Sequence, residues 1–267
     1  MKDLEHKVIW ITGASSGIGE ALVYELQRHN PRLILSARRT DQLERVRENC
    51  EKSVQENIRI LPLDLAKSGD LPSKAKEAEM IFGRIDILIN NGGISQRDSV
   101  LNTSMEVDRE IMEVNYFGSI ALSKYLMQGM LERGEGHHVI ISSAVGIVST
   151  PKRSGYAASK HALHGFYDAL RAEHHQDNIP VTMICPGYIQ TNISYNARMG
   201  DGSVQNKLDD GQANGIPADK CARKIVKAIQ REKEEVYIGG AKELFGIYVK
   251  RFLPGLYSKL VTKMKVT

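Results

Sequence analysis

The chain has 267 residues, 42% of them hydrophobic, and a formal net charge of +4. That length fits one large α/β domain with a sizeable core, and so small a charge gives no argument for nucleic-acid binding. The three cysteines, Cys50, Cys185 and Cys221, are scattered and form no Cys-x-x-Cys, which argues against a disulfide framework or zinc site and for a reducing compartment. The first apolar run, VIWITGA, is too short for a membrane span and lacks the layout of a secretory signal, so a cytoplasmic location is expected.

Nearly continuous apolar runs predict strands at 7–12, 32–37, 58–64, 85–91, 137–143 and 180–186. A later run, 235–240, is expected to close one edge. Strands apolar on both faces suit a parallel sheet. Helix-length segments at 18–29, 40–56, 71–83, 106–132 and 156–176 alternate with them. This βαβ rhythm predicts an α/β fold: a doubly wound parallel sheet with helices on both faces, in a single domain over 1–267. Residues 192–216 interrupt the rhythm. They are polar and glycine-rich, and a connection this long reads as a substrate lid. A helix is expected to begin near Pro217. In the tail, 242–267, aromatic and leucine residues alternate with lysines, and Pro254–Gly255 divides it into two short helices. Its apolar stripe is expected to pack on protein, over the pocket or on a neighbouring subunit, rather than to lie on a membrane surface.

The turn ITGASSGIGEAL joins the first strand to the first helix. Gly13, Gly17 and Gly19 permit a tight turn and close approach, and the helix start offers N–H groups to a diphosphate. At the end of the second strand, where a dinucleotide site commonly carries an acid for the ribose hydroxyls, stand Ser36, Ala37, Arg38 and Arg39. Two guanidinium groups in place of a carboxylate favour a phosphate, hence NADP(H) over NAD(H), with Arg38 as the main contact.

With TGASSGIG, NNGG and YAASK in this order, the chain resembles the short-chain dehydrogenase/reductase family from about residue 5 to 240. The resemblance implies the Rossmann fold and a set of site residues. Thr12, Gly13, Ser15, Ser16, Gly17, Ile18 and Gly19 would form the cofactor turn. Asp64 and Leu65 would border the adenine. Asn91 and Gly92 would flank the cofactor, with Gly92 replacing the family's usual alanine. Pro186, Gly187, Ile189 and Thr191 would run along the nicotinamide. Asn115, Ser143, Tyr156 and Lys160 would form the catalytic set, with Asn115 holding a water that relays protons toward Lys160. Ser143, Val145, Tyr156, Tyr188 and Tyr195 would touch substrate, and Ser95, Gln96, Ile147 and Ile189 are further pocket candidates. Homodimer or homotetramer formation through the helix over 106–132 is implied in the same way.

A tyrosine hydroxyl titrates near pH ~10 and is a poor catalyst at neutrality. Lys160 follows Tyr156 by one helical turn, so its charge is expected to favour the phenolate and tune the phenol as general acid and base. Ser143 would stabilise the substrate oxygen. The expected reaction is hydride exchange between NADP(H) and a small-molecule carbonyl or secondary alcohol, with lipid-like or steroid-like ketones favoured by the apolar tail. Two other functions fit parts of the pattern: a non-catalytic NADP(H)-binding redox sensor, and a sugar-nucleotide epimerase or dehydratase. The complete Ser–Tyr–Lys set argues against the first, and the glycine spacing against the second. The eight histidines have no matched carboxylate or cysteine cluster, so no metal is expected.

Overall fold

Side chains that alternate between two buried faces along almost wholly apolar strands decide the architecture. The computed structural model describes residues 1–262, the side chain of Lys242 excepted. In β1 (Val8–Thr12), Ile9 and Ile11 join one layer of side chains while Val8 and Trp10 join the opposite one. Neither face can meet water, so helices must cover both. Six more strands follow: β2 (Arg32–Ser36), β3 (Ile58–Ile60), β4 (Ile87–Asn90), β5 (His137–Ile141), β6 (Val181–Pro186) and β7 (Glu235–Ile238). They form one parallel sheet in the order β3-β2-β1-β4-β5-β6-β7, with β7 at an edge as expected.

The helices are α1 (Gly17–Leu26), α2 (Thr40–Glu48), α3 (Lys52–Gln55), α4 (Leu71–Phe82), α5 (Met105–Met112), α6 (Gly118–Arg133), α7 (Ser154–Glu173), α8 (Asp210–Ala213), α9 (Ala218–Gln230), α10 (Ala241–Phe252) and α11 (Pro254–Val261). Leu22 and Leu26 of α1, Leu43 and Val46 of α2, and Ile225 and Ile229 of α9 cover one face of the sheet. Ala75 and Ala78 of α4, Leu122 and Leu126 of α6, and Leu163 and Tyr167 of α7 cover the other. This is the doubly wound Rossmann arrangement.

Three elements differ from the sequence pattern. Regular pairing in the third strand ends at Ile60 rather than Asp64, where the Leu61 carbonyl accepts the Ser36 hydroxyl (2.6 Å). Leu61 and Leu63 still donate to the carbonyls of Leu35 and Ala37, at 3.0 and 3.1 Å. The helix over 40–56 breaks after Glu48, and α3 restarts it for a single turn. The helix over 106–132 contains a π-turn, Glu113–Phe117, between α5 and α6. Such an insertion leaves the apolar rhythm on either side intact, so the pattern does not reveal it.

Two buried polar networks brace the sheet. Trp10 donates Nε1–H to Ser36 Oγ (2.8 Å), which in turn donates to the Leu61 carbonyl (2.6 Å), so the large indole is buried with its donor satisfied. At the end of β4, Asn90 Nδ2 donates to Ser123 of α6 and Tyr167 of α7, both at 3.0 Å, and the two hydroxyls lie 2.7 Å apart. This ties one strand end to two helices.

The tail forms two helices broken at Pro254, as the sequence predicts. Its inner face packs on the chain after β5: Ile247 joins Ala144 and Val148, Lys250 Nζ donates to the Ile147 carbonyl (2.8 Å), and Tyr257 Oη donates to the Ser149 carbonyl (2.5 Å). Phe245, Tyr248, Phe252 and Leu253 remain exposed on the outside. The last part of the predicted tail, 263–267, lies outside the described residues. Among the described residues no helix is long and apolar enough to cross a membrane.

His137 and His138 are fully buried in β5. Burial pushes His137 down to about 3 and His138 down to about 4. The unfolded chain, with imidazoles titrating near pH ~6.5, therefore binds more protons than the fold below that pH. Stability is expected to fall as pH drops from ~6.5 toward those folded values. In urea unfolding at pH 7 and pH 5, His138→Leu should shed about 2 kcal/mol of that acid loss. An unchanged difference between the two pH values would remove His138 as its source.

Candidate active site

The strand order reverses between β1 and β4, so the chains leaving these strands diverge around a groove. Thr12 closes the bottom of it. Its Oγ1 accepts the N–H groups of Asn91 (3.0 Å) and Gly92 (2.9 Å), while Asn91 Nδ2 donates to the carbonyls of Thr12 (2.9 Å) and Gly13 (3.1 Å). The two strand ends are thereby stitched together. No side chain fits at that junction. A Cβ on Gly13, whose φ is +66°, would stand 2.8 Å from Gly92 Cα, and one on Gly19 would stand 2.2 Å from the Gly13 carbonyl oxygen. Ser16 caps α1 with extended backbone and makes no side-chain capping bond, which leaves the first N–H groups of the helix for an anion. A glycine cradle closed to side chains and opening on a helix start fits the diphosphate of a dinucleotide.

A cavity of about 520 Å³ runs from this turn to α7. Thr12, Gly13, Ser15, Ser16, Gly17 and Ile18 line its floor. Arg38 and Arg39, both exposed, stand at the mouth beyond β2, and Asp64 and Leu65 border the same end. Asn91 and Gly92 form one wall, and Pro186, Gly187, Ile189 and Thr191 the opposite one. Gly92 has a local reason to replace alanine: a Cβ there would fall 2.7 Å from Leu65 Cδ1, so the leucine would have to turn aside. Gly19 and Asn115 stand behind the wall rather than in it. Of the substrate candidates, Ser143, Val145, Tyr156 and Tyr188 line the cavity, as do Ser95 and Ile189. Gln96, Ile147 and Tyr195 do not, and Tyr195 is 44% exposed.

Tyr156 and Lys160 lie on the buried face of α7, which also carries Leu163 and Tyr167. Tyr167 is the residue held by Asn90 and Ser123, so the network beneath the sheet end sets where the upper part of the helix points. Lys160 Nζ donates to the Ile141 carbonyl (2.8 Å) and stands 5.8 Å from the centre of the Tyr156 ring. Burial lowers its pKa to about 8. Ser143 follows β5; its Oγ accepts the Val145 N–H (3.2 Å) and donates to the Pro186 carbonyl (3.3 Å). Asn115 sits in the π-turn. Its side chain pairs with both backbone groups of Ile94, at 2.8 and 2.9 Å, and donates to Ser159 of α7 (3.0 Å). It therefore clamps the loop after β4 to α7.

The electrostatics depart from the sequence reading in one respect. Burial raises the Tyr156 pKa. The Ser143 hydroxyl, Arg97 and Arg153 pull it back down. These two arginines thus add positive charge that favours the phenolate. Both are buried and both pair with Asp209 Oδ2, Arg97 at 2.8 Å and Arg153 at 3.3 Å. Sequence reasoning missed this cluster. Arg97 could have been found as a charged residue just after the NNGG turn, but nothing around Asp209 in the 192–216 segment marks it as buried. That segment is well anchored: Arg198 grips Glu110 of α5 with Nε and Nη2, and its backbone pairs with that of Ser95 and Arg97. Among the described residues no group of three metal-ligating side chains occurs.

The sequence profile described as short chain dehydrogenase matches residues 7–201. The dehydrogenase/reductase SDR family protein 7-like of Drosophila melanogaster is 42% identical over 266 residues, covering 98% of this chain and 82% of that one. A short chain dehydrogenase/reductase from Burkholderia phymatum in complex with NAD superposes with a TM-score of 0.83 at 21% identity, over 96% of both chains. An alcohol dehydrogenase from the archaeon Thermococcus sibiricus, complexed with 5-hydroxy-NADP, superposes with a TM-score of 0.73 at 25% identity, over 88% of this chain and 97% of that one.

The crowding at the turn gives a stability test. Gly19→Ala is expected to cost about 1–3 kcal/mol in denaturant unfolding, the range for overpacking a tight site. Gly255→Ala, in α11 with nothing within 4 Å of the new methyl group, should cost nothing measurable. Equal effects would mean that the turn relaxes freely around a side chain.

Proposed function

We propose, starting from the fact that this chain belongs to the short-chain dehydrogenase/reductase family and is an oxidoreductase, that it reduces a carbonyl group, or oxidises the matching secondary alcohol, with NADP(H) as its cofactor. The observation that carries this reading is the convergence of Ser143, Tyr156 and Lys160 on the cavity that the glycine turn opens into. A bound nicotinamide supplies or accepts the hydride.

The chain's own residues do the rest. Tyr156 gives its proton to the substrate oxygen in reduction and removes it in oxidation. Ser143, whose hydroxyl already favours a negative oxygen at Tyr156, donates to the same substrate oxygen. Lys160 binds the ribose next to the nicotinamide and fixes which face meets the substrate. Asn115 holds the water through which protons reach Lys160. Arg38 and Arg39 neutralise the phosphate that distinguishes NADP from NAD. The segment 192–216 covers bound substrate, and its anchors at Glu110, Ser95 and Arg97 define what moves. The single-domain organisation fits an assembly through the helix α6, whose Tyr125 and Leu131 are exposed.

Burial holds the Tyr156 phenol in its protonated form at neutral pH, the form that reduction uses. Alcohol oxidation needs the phenolate and should therefore rise with pH, while reduction declines at high pH. Tyr156→Phe is expected to lower kcat roughly 10²–10⁴-fold in both directions with cofactor binding intact. Fluorescence titration should give tighter binding of NADPH than of NADH, and Arg38→Ala should remove the difference. Equal affinities, or a preference untouched by Arg38→Ala, would replace NADP(H) by NAD(H) and leave the Tyr156 chemistry in place. Full activity in Tyr156→Phe would overturn that chemistry.

A further inference from the structure

Arg97 is 3% exposed, and a guanidinium so deeply buried needs acceptors for its N–H groups. Nε donates to Asp209 Oδ2 at 2.8 Å, and Nη1 donates to Ser95 Oγ at 2.6 Å and to the Gln96 carbonyl at 2.7 Å. Nη2 makes no hydrogen bond among the described residues, although the residue lines the cavity that holds Ser143 and Tyr156.

Asp209 does not take this last donor. Its Oδ2 already accepts from Arg97 and from Arg153, and its Oδ1 accepts from Gln205 Nε2 at 2.9 Å. Arg153 shares that carboxylate and lies 5.3 Å from the centre of the Tyr188 ring. The arrangement holds Arg97 rigidly in place and leaves Nη2 unpaired in a residue that lines the pocket. A preorganised guanidinium N–H donor in a mostly apolar cavity is a receptor for a carboxylate, since it loses little further ordering entropy on binding.

We infer that Arg97 is a specificity-determining residue that binds a carboxylate carried by the substrate, so that the preferred substrates are oxo acids and hydroxy acids rather than neutral ketones and alcohols. The anion site does not depend on hydride transfer; the word substrate rests on the proposed reductase reading, and the experiment separates the two.

The full chain, saturated with NADP⁺ so that no ketone can be reduced, is titrated calorimetrically with benzoylformate, benzoylpropanoate and benzoylbutanoate and with the methyl ester of each. For at least one length the acid should bind roughly tenfold or more tighter than its ester, the advantage of a hydrogen bond to a charged group. Arg97→Gln should abolish that advantage, and Arg97→Lys, which keeps the charge and loses the fork, should retain part of it. Esters that bind as well as acids throughout the series overturn the inference, as does an advantage that survives in Arg97→Gln. If Arg97→Gln fails to fold, an advantage undiminished in Arg97→Lys overturns it. NADPH oxidation with the same compounds reads the other claim. Acids that bind selectively and are not reduced leave the anion site standing and count against the reductase; esters reduced as readily as acids do the reverse.

Discussion

The contact on which the rest of the site depends is the junction of two glycines. Gly13 leaves β1 and Gly92 follows β4, and their backbones lie so close that a Cβ on Gly13 would stand 2.8 Å from Gly92 Cα. Thr12 and Asn91 hold the junction with four hydrogen bonds. Only with the strand ends pinned this way does α1 start where it faces the groove, and only then does the loop after β4 run beside α7. The glycine floor of the cavity and its wall near Tyr156 are two consequences of one packing constraint at the point where the sheet changes direction.

From that junction a chain of polar contacts leads to Tyr156 and Lys160. Asn90 reaches Ser123 and Tyr167, which sets the lower part of α7. Asn115 reaches Ile94 and Ser159, which sets its upper part against the loop. Lys160 lies between these two points, and Tyr156 just before Ser159. Their positions therefore rest on two buried amides, Asn115 with its oxygen and nitrogen both paired and Asn90 held through its nitrogen. Lys160 adds to this by donating to the end of β5 rather than to the phenol.

Much of this was legible in the sequence because it is local. The glycine turn, the strand runs and the Tyr156–Lys160 spacing each lie within a dozen residues and carry their own physics. The π-turn at Asn115 was not legible, because one inserted residue shifts a helix face without disturbing apolar content. Nor was the Arg97–Asp209–Arg153 cluster, which joins three segments far apart in the chain and makes the pocket more polar than its apolar neighbours suggested. Tyr195 reads as a pocket residue by its place after the last motif, yet the anchoring of Arg198 turns its side chain toward solvent. The third strand ends early at Ile60, although the apolar run continues.

The sheet order also governs how the chain can be made. β1 lies inside the sheet, yet one of its two neighbours, β4, is synthesised only after α4 has emerged. Until then the nascent chain can assemble β1, β2 and β3 alone, with one side of β1 unpaired and apolar on both faces. An open strand of that kind is a template for other chains. Because no hairpin shortens the search, every pairing waits for a crossover. During synthesis the first third of this protein therefore depends on delayed closure, or on a chaperone holding that edge, until the fourth strand arrives to cover it.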